Sequence, residues 1–159
     1  MVTRSDATTA AAKASHLDRL KLIAMDEDDL AIVSAHVQDA VGHARALEFD
    51  RARSTFALAL NRYVWEQDRD RRTPERRRAL LQFAHVRGVR MRGIEREEDR
   101  ALSLLAVRFE AEGEGPDGTV ELVFSGDAGI RLDVECIEAR LSDTDAAWAA
   151  RMRPQHPAD

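Results

Sequence analysis

The chain has 159 residues, a formal net charge of −5 at pH 7 and one cysteine, Cys136. That length suits one domain able to bury roughly two thirds of its extended-chain surface, and a single thiol excludes an internal disulfide and fits a reducing, cytoplasmic setting. No apolar run approaches the ~20 residues of a membrane span, and the Ala-, Thr- and Ser-rich start lacks the apolar stretch of a signal peptide.

Residues 1–17 read as a disordered tail, residues 18–151 as a single domain, and residues 152–159, with Pro154 and Pro157, as a second disordered tail. Leu20, Leu22 and Ala24 alternate with Lys21 and Ile23 as a short strand. Asp26 then stands where its side-chain oxygen can cap a helix, and Glu27, Asp28 and Asp29 put negative charge at that helix's positive end. Leu30, Val33, Val37, Ala40 and Val41 form one apolar stripe, so the spacing predicts an amphipathic helix over 27–41, stopping at Gly42.

Leu47 and Phe49, a polar turn at Asp50 to Arg53, and the alternation Phe56, Leu58, Leu60, Val64 predict a hairpin. Its other face, Ala57, Ala59, Asn61, Tyr63 and Trp65, is small at one end, which offers the helix a close approach. A charged loop with Pro74 is expected from Gln67 to Arg77. Beyond it, Leu81, Phe83 and Val86, then Val89 and Met91, give one bent strand or two short ones. Glu95 to Arg100 is a charged turn, and Leu102 to Phe109, apolar on both faces, reads as a central strand.

The clearest pattern begins at Gly118: Val120, Leu122 and Phe124, then Ile130, Leu132 and Val134, joined by Ser125-Gly126-Asp127-Ala128-Gly129. This is a half-buried antiparallel hairpin. Ile137 and Leu141 lie four apart, and Ser142 or Asp143 could cap a short C-terminal helix ending near Trp148. The fold class is therefore α+β: mainly an antiparallel meander sheet with one N-terminal helix and a short C-terminal one. The strand count also suits a rolled sheet or split barrel, similar in outline to pleckstrin-homology-like folds.

Four segments carry a family resemblance: Leu20-Lys21-Leu22-Ile23-Ala24, Leu30 through Gln38-Asp39-Ala40-Val41, Phe56-Ala57-Leu58-Ala59-Leu60-Asn61-Arg62, and Gly118 to Leu141 with Val134-Glu135-Cys136-Ile137-Glu138-Ala139-Arg140-Leu141. Over about residues 19 to 151 the chain resembles the bacterial family catalogued as domain of unknown function 2948. The resemblance implies a small soluble bacterial protein of uncharacterised role, and it supplies no catalytic residue to carry over.

Charge is unevenly placed. From Arg69 to Arg96 ten Arg stand against Asp70, Glu75 and Glu95, so this stretch is +7 and the remainder −12. Arg71, Arg72, Arg76, Arg77 and Arg78 lead into a strand whose Arg90 and Arg92 share one face, with Tyr63 and Trp65 available as stacking surfaces. Such an array suits an anionic partner, including a phosphate backbone. A solvated charged loop explains the same residues without function.

Elsewhere the chemistry is sparse. Cys136, between Glu135 and Glu138, lacks the cationic surroundings of a reactive thiol and reads as a buried structural residue beside Leu132 and Val134. His36, Asp39 and His43 lack the spacing of a metal set. No phosphate-binding Gly loop, nucleophile elbow or His-Glu-x-x-His pattern occurs. The leading expectation is a non-catalytic binding or accessory module contacting a protein partner, without a cofactor, and nucleic acid is the second partner class. An enzyme with a pocket near Tyr63, Trp65 and His85, and an oligomer formed through an uncovered sheet face, are the other two classes carried forward.

Overall fold

Alternating burial runs through nearly every strand of the computed structural model, which describes residues 19–64 and 75–144. In chain order the elements are β1 (Lys21–Ala24), α1 (Glu27–His36), β2 (Ala40–His43), β3 (Leu47–Asp50), β4 (Thr55–Tyr63), β5 (Arg76–Phe83), β6 (Val86–Arg92), β7 (Ala101–Ala111), β8 (Gly118–Phe124), β9 (Ala128–Val134) and β10 (Ala139–Asp143). The expected tails at 1–17 and 152–159 lie outside the described residues.

All ten strands join one antiparallel sheet, ordered β1-β10-β5-β4-β2-β7-β8-β9-β6, with β3 pairing β4 beside that path. It is not a simple meander. Sequence neighbours pair in β3 with β4, β4 with β5, β7 with β8 and β8 with β9, but β10 inserts between β1 and β5, and β6 lies at the far end. Only Ala84 and His85 separate β5 from β6, although six strand steps lie between them in the sheet. Six steps would span about 29 Å in a flat sheet, whereas Phe83 to Val86 can reach only about 11 Å. The sheet must therefore curve back on itself.

Backbone hydrogen bonds pin that return: Val86 N to Ser54 O at 2.9 Å, Ala84 N to Glu138 O at 3.0 Å and Glu135 N to His85 O at 3.0 Å. His85 takes φ +60° at the crossover. The sheet is not closed, because its end strands β1 and β6 do not pair with each other. One apolar core fills the concave side, drawn from both halves: Phe56, Leu58, Leu81 and Leu141 meet Leu104, Leu122, Ile130 and Leu132.

The expected helix over 27–41 is shorter and less amphipathic. Asp26 caps it through Asp29 N at 2.8 Å, but it ends at His36. Asp39, at φ +67°, then turns the chain into β2, so Ala40 and Val41 belong to a strand rather than to the helical stripe. Gly42 is buried in that strand, where an added Cβ would meet Ala59 O at 3.0 Å. The helix buries only Leu30 and Val33, and Ile32 is half exposed.

It packs on β7 and β1, not on the Ala57 and Ala59 face. The reason lies in β7, where Leu105 is an extra residue: Leu104 opposes Phe124 and Ala106 opposes Val123. This bulge re-aims the strand, and Ser34 Oγ accepts a hydrogen bond from Val107 N at 2.9 Å just beyond it. The expectation of two apolar faces on 102–109 also gives way there, since Leu105 is exposed and Arg108 faces solvent.

Two further readings change at the C-terminal side. Ile137 to Asp143 does not begin a helix: Ala139–Asp143 is β10, antiparallel to both β5 and β1. The rest of the predicted C-terminal helix, toward Trp148, lies outside the described residues. Cys136 is half-buried in the bend after β9 rather than enclosed beside Val134.

Candidate binding surface

The Arg-rich stretch does not form one array. Arg71, Arg72 and Trp65 lie outside the described residues, and the expected loop to Arg77 is already strand from Arg76 onward. Strand alternation then divides the three described arginines. Arg76 and Arg78 face outward, opposite Tyr63 and Asn61 of β4, and Arg76 Nη1 donates to Asp39 O at 3.3 Å and Asn61 O at 3.4 Å. Arg77 turns toward the concave side, where its Nε donates to Glu75 Oε2 at 3.1 Å.

There it joins a buried charged row that continues the apolar ladder of β4, β5 and β10. Leu58, Leu81 and Leu141 occupy one rung, and two residues further along each strand stand Leu60, Ala79 and Asp143. Arg62, with no exposed surface, donates through Nε to Asp143 Oδ1 at 2.8 Å and through Nη2 to Asp143 Oδ2 at 3.0 Å. Leu20 N also donates to Asp143 Oδ2 at 2.8 Å, and Arg77 Nη1 lies 3.8 Å from the same oxygen. Such a two-point guanidinium–carboxylate pair is the geometry that supports burial of both charges. Asp143 thus accepts from Arg62 and from Leu20 N and lies within ion-pair distance of Arg77, rather than capping a helix.

The other half of the sheet carries a second charged surface on its convex side. Residues directly opposite in antiparallel strands share a face, and the register sets Arg90 beside Arg131, Arg131 beside Glu121, and Glu121 beside Arg108. Glu121 serves two cations, Arg108 at 3.5 Å and Arg131 at 3.8 Å, and Arg131 also reaches Glu110 at 3.5 Å. Arg87 pairs with Asp133 at 2.8 Å; that hydrogen bond, against desolvation and with the charges of Asp133, Asp117 and Glu135, raises its pKa above the ordinary arginine value.

A depression of about 420 Å³ opens on this surface, lined by Arg90, Met91, Arg92, Glu121, Gly129 and Arg131. Gly129 supplies the floor, since it has no side chain where Arg92 and Arg131 flank it. Three guanidiniums and one carboxylate line it, with Glu110 and Asp127 outside the lining pairing Arg131 and Arg92. Arg92 is held loosely, 3.9 Å from the almost fully exposed Asp127 carboxylate and 3.3 Å from Asp127 O. Arg90 has neither a hydrogen-bond nor an ion-pair partner among the described residues. Chemically, the depression can take carboxylate or phosphate oxygens by charge-assisted hydrogen bonds.

Of the residues expected around an enzyme pocket, Tyr63 and His85 are not brought together, and Trp65 lies outside the described residues. Tyr63 pairs with Arg76 at the first residue of β5, while His85 follows its last residue, so the two lie at opposite ends of that strand. His85 Nε2 instead lies 2.8 Å from Glu138 Oε1. His43 Nδ1 is 3.7 Å from Asp99 Oδ1, and His36 Nδ1 lies 2.9 Å from Ile32 O within its own helix.

Sequence reasoning singled out Arg90 and Arg92 but missed Arg131, and it missed the Arg62–Asp143 pair altogether. For Arg62 a signal exists: it falls on the period of two set by Phe56, Leu58 and Leu60, which places it inside. Among the described residues no helix is long and apolar enough to cross a membrane. The family model described as "Protein of unknown function (DUF2948)" matches residues 20–156. Neither a curated protein nor a solved structure matches the chain.

Proposed function

We propose a binding role for this chain, which belongs to the DUF2948 family of proteins of unknown function: a non-catalytic module that contacts an acidic protein partner through the convex face of β6, β9 and β8. The observation that carries this reading is the depression over Gly129, where Arg90, Arg92 and Arg131 outnumber the single carboxylate of Glu121. An unpaired guanidinium beside a concavity keeps its donors available for an incoming anion. A protein partner is favoured over nucleic acid because the arginines are dispersed. Arg76 and Arg78 lie on β5 and Arg90 and Arg92 on β6, strands that do not pair, so no continuous track for a phosphate backbone forms among the described residues.

The test is affinity capture from the cell lysate with and without nuclease, using the wild-type chain, Arg90→Ser with Arg92→Ser, and Arg76→Ser with Arg78→Ser. Nuclease-resistant capture lost only in the Arg90 and Arg92 variant is the expected result. Capture lost with nuclease assigns nucleic acid as the partner, and capture equal in all three forms overturns the surface.

A further inference from the structure

We propose that β6 accepts an extended acidic segment of another protein as an additional strand, with carboxylates at alternate positions meeting Arg90 and Arg92 and an apolar residue between them meeting Met91. This inference rests on the binding role above and specifies how the partner is held. Among the described residues β6 ends the sheet and pairs only with β9. On its open side the one backbone hydrogen bond among the described residues is Val86 N to Ser54 O. From Arg87 to Arg92 the strand therefore offers a row of backbone donors and acceptors, the template used in strand addition.

Open edges carry a hazard, because a second copy of the same chain can pair with them. The side chains of β6 decide against that and in favour of an acidic strand. A copy laid along β6 would bring arginine toward arginine, and like charges directly opposite one another are unfavourable. An acidic strand would instead bring carboxylates toward Arg90, whose guanidinium has no partner among the described residues, and Arg92, whose carboxylate neighbour Asp127 is 3.9 Å away. Arg87, already hydrogen-bonded to Asp133 at 2.8 Å, is left out of the contact.

Alternation completes the specification. Arg90 and Arg92 share the convex face, on which the depression over Gly129 leaves room beside the strand. Met91 opposes the core residue Ile130 and so belongs to the concave face, yet it is 38 % exposed, since no described strand pairs with β6 on that side. An incoming strand with the pattern acidic, apolar, acidic would place its apolar side chain against Met91 and extend the core by one residue. Nucleic acid has no peptide backbone with which to continue the ladder.

The experiment is an NMR titration of the full-length ¹⁵N-labelled protein with a synthetic peptide alternating Glu and Val. Two N-methylated forms accompany it, each blocking every second peptide amide. The expected result is slowed amide exchange along β6, with one methylated form weakened by about tenfold or more and the other retained, since only alternate amides of an added strand face its neighbour. Arg90→Glu with Arg92→Glu should abolish the effect at residues already exposed to solvent. Two methylated forms that bind as well as the parent overturn strand addition while leaving an acidic partner in place. A peptide that fails to bind overturns strand addition, and the binding surface itself falls only if lysate capture is also indifferent to Arg90 and Arg92.

Discussion

Arg62 and Asp143 are separated by 81 residues of chain and joined by two hydrogen bonds of 2.8 and 3.0 Å, with both side chains enclosed in the fold. The pair connects β4 to β10 across β5, and the same carboxylate receives Leu20 N from the start of β1. Four segments distant in sequence thus converge on one carboxyl group.

Removing one partner leaves an uncompensated buried charge. Asp143→Ala is expected to destabilise the protein by about 3–5 kcal/mol, read as a lowered midpoint in urea unfolding. Arg62→Met combined with Asp143→Leu removes both charges, and its loss should be smaller, limited mainly to the orphaned Leu20 amide at about 1–3 kcal/mol. A double variant as unstable as Asp143→Ala would show that the pair contributes through more than mutual neutralisation.

Two glycines should respond oppositely to the same added methyl. At Gly118 an ideal Cβ would strike Glu110 O and lie 2.6 Å from Phe109 Cζ, whereas at Gly88 nothing stands within 4 Å. Gly118→Ala is expected to cost about 1–3 kcal/mol through forced displacement, and Gly88→Ala to stay within about 0.5 kcal/mol. Thermal unfolding of the two variants side by side checks the contrast.

Ser34→Ala removes the hydroxyl that accepts from β7 just beyond the bulge. Val107 N, now donating to Ser34 Oγ at 2.9 Å, would lose its acceptor, at an expected cost of about 1–3 kcal/mol. Hydrogen exchange should show that loss locally, as faster exchange at Val107 and in α1 with β8 and β9 unchanged. Uniformly faster exchange would mean that α1 and the sheet open together.

Contact through Arg90 and Arg92 is exposed and therefore screened. Affinity for an acidic peptide should fall as salt rises from low concentration to 0.15 M, where the screening length is about 8 Å. An affinity independent of salt would indicate that Met91 and the backbone hold the peptide without the guanidiniums.

Elements with one face buried were legible from sequence. The hairpin of β8 and β9 could be read from Val120, Leu122, Phe124 and Ile130, Leu132, Val134, because sheet burial at those positions repeats every two residues. β2 was hidden by accident of spacing: Val37, Ala40 and Val41 continue the helical stripe of Leu30 and Val33, and only the left-handed Asp39 breaks it. Arg76 and Arg77 carry the charge of a loop, yet the alternation of Arg77, Ala79, Leu81 and Phe83 is a strand pattern with a charged inner end. Of the candidate site, Arg90 and Arg92 were visible at a spacing of two, but Arg131 entered only through the register of β6 on β9, a long-range fact that no local spacing carries. The same holds for Arg62 and Asp143, whose meeting depends on β10 entering between β1 and β5.

That insertion has a consequence for the order of events on the ribosome. β1 is made before β10, its sheet neighbour, so it must wait for β10 before it can pair. Arg62 likewise emerges 81 residues ahead of its counterion, a delay of roughly 4–16 s at synthesis rates of ~5–20 residues per second. During that interval Arg62 stands, without its Asp143 counterion, on a strand that also carries Leu58 and Leu60. The hairpins can form as they appear, but the described sheet is complete only once Asp143 has left the exit tunnel, which makes β10 the strand that completes it.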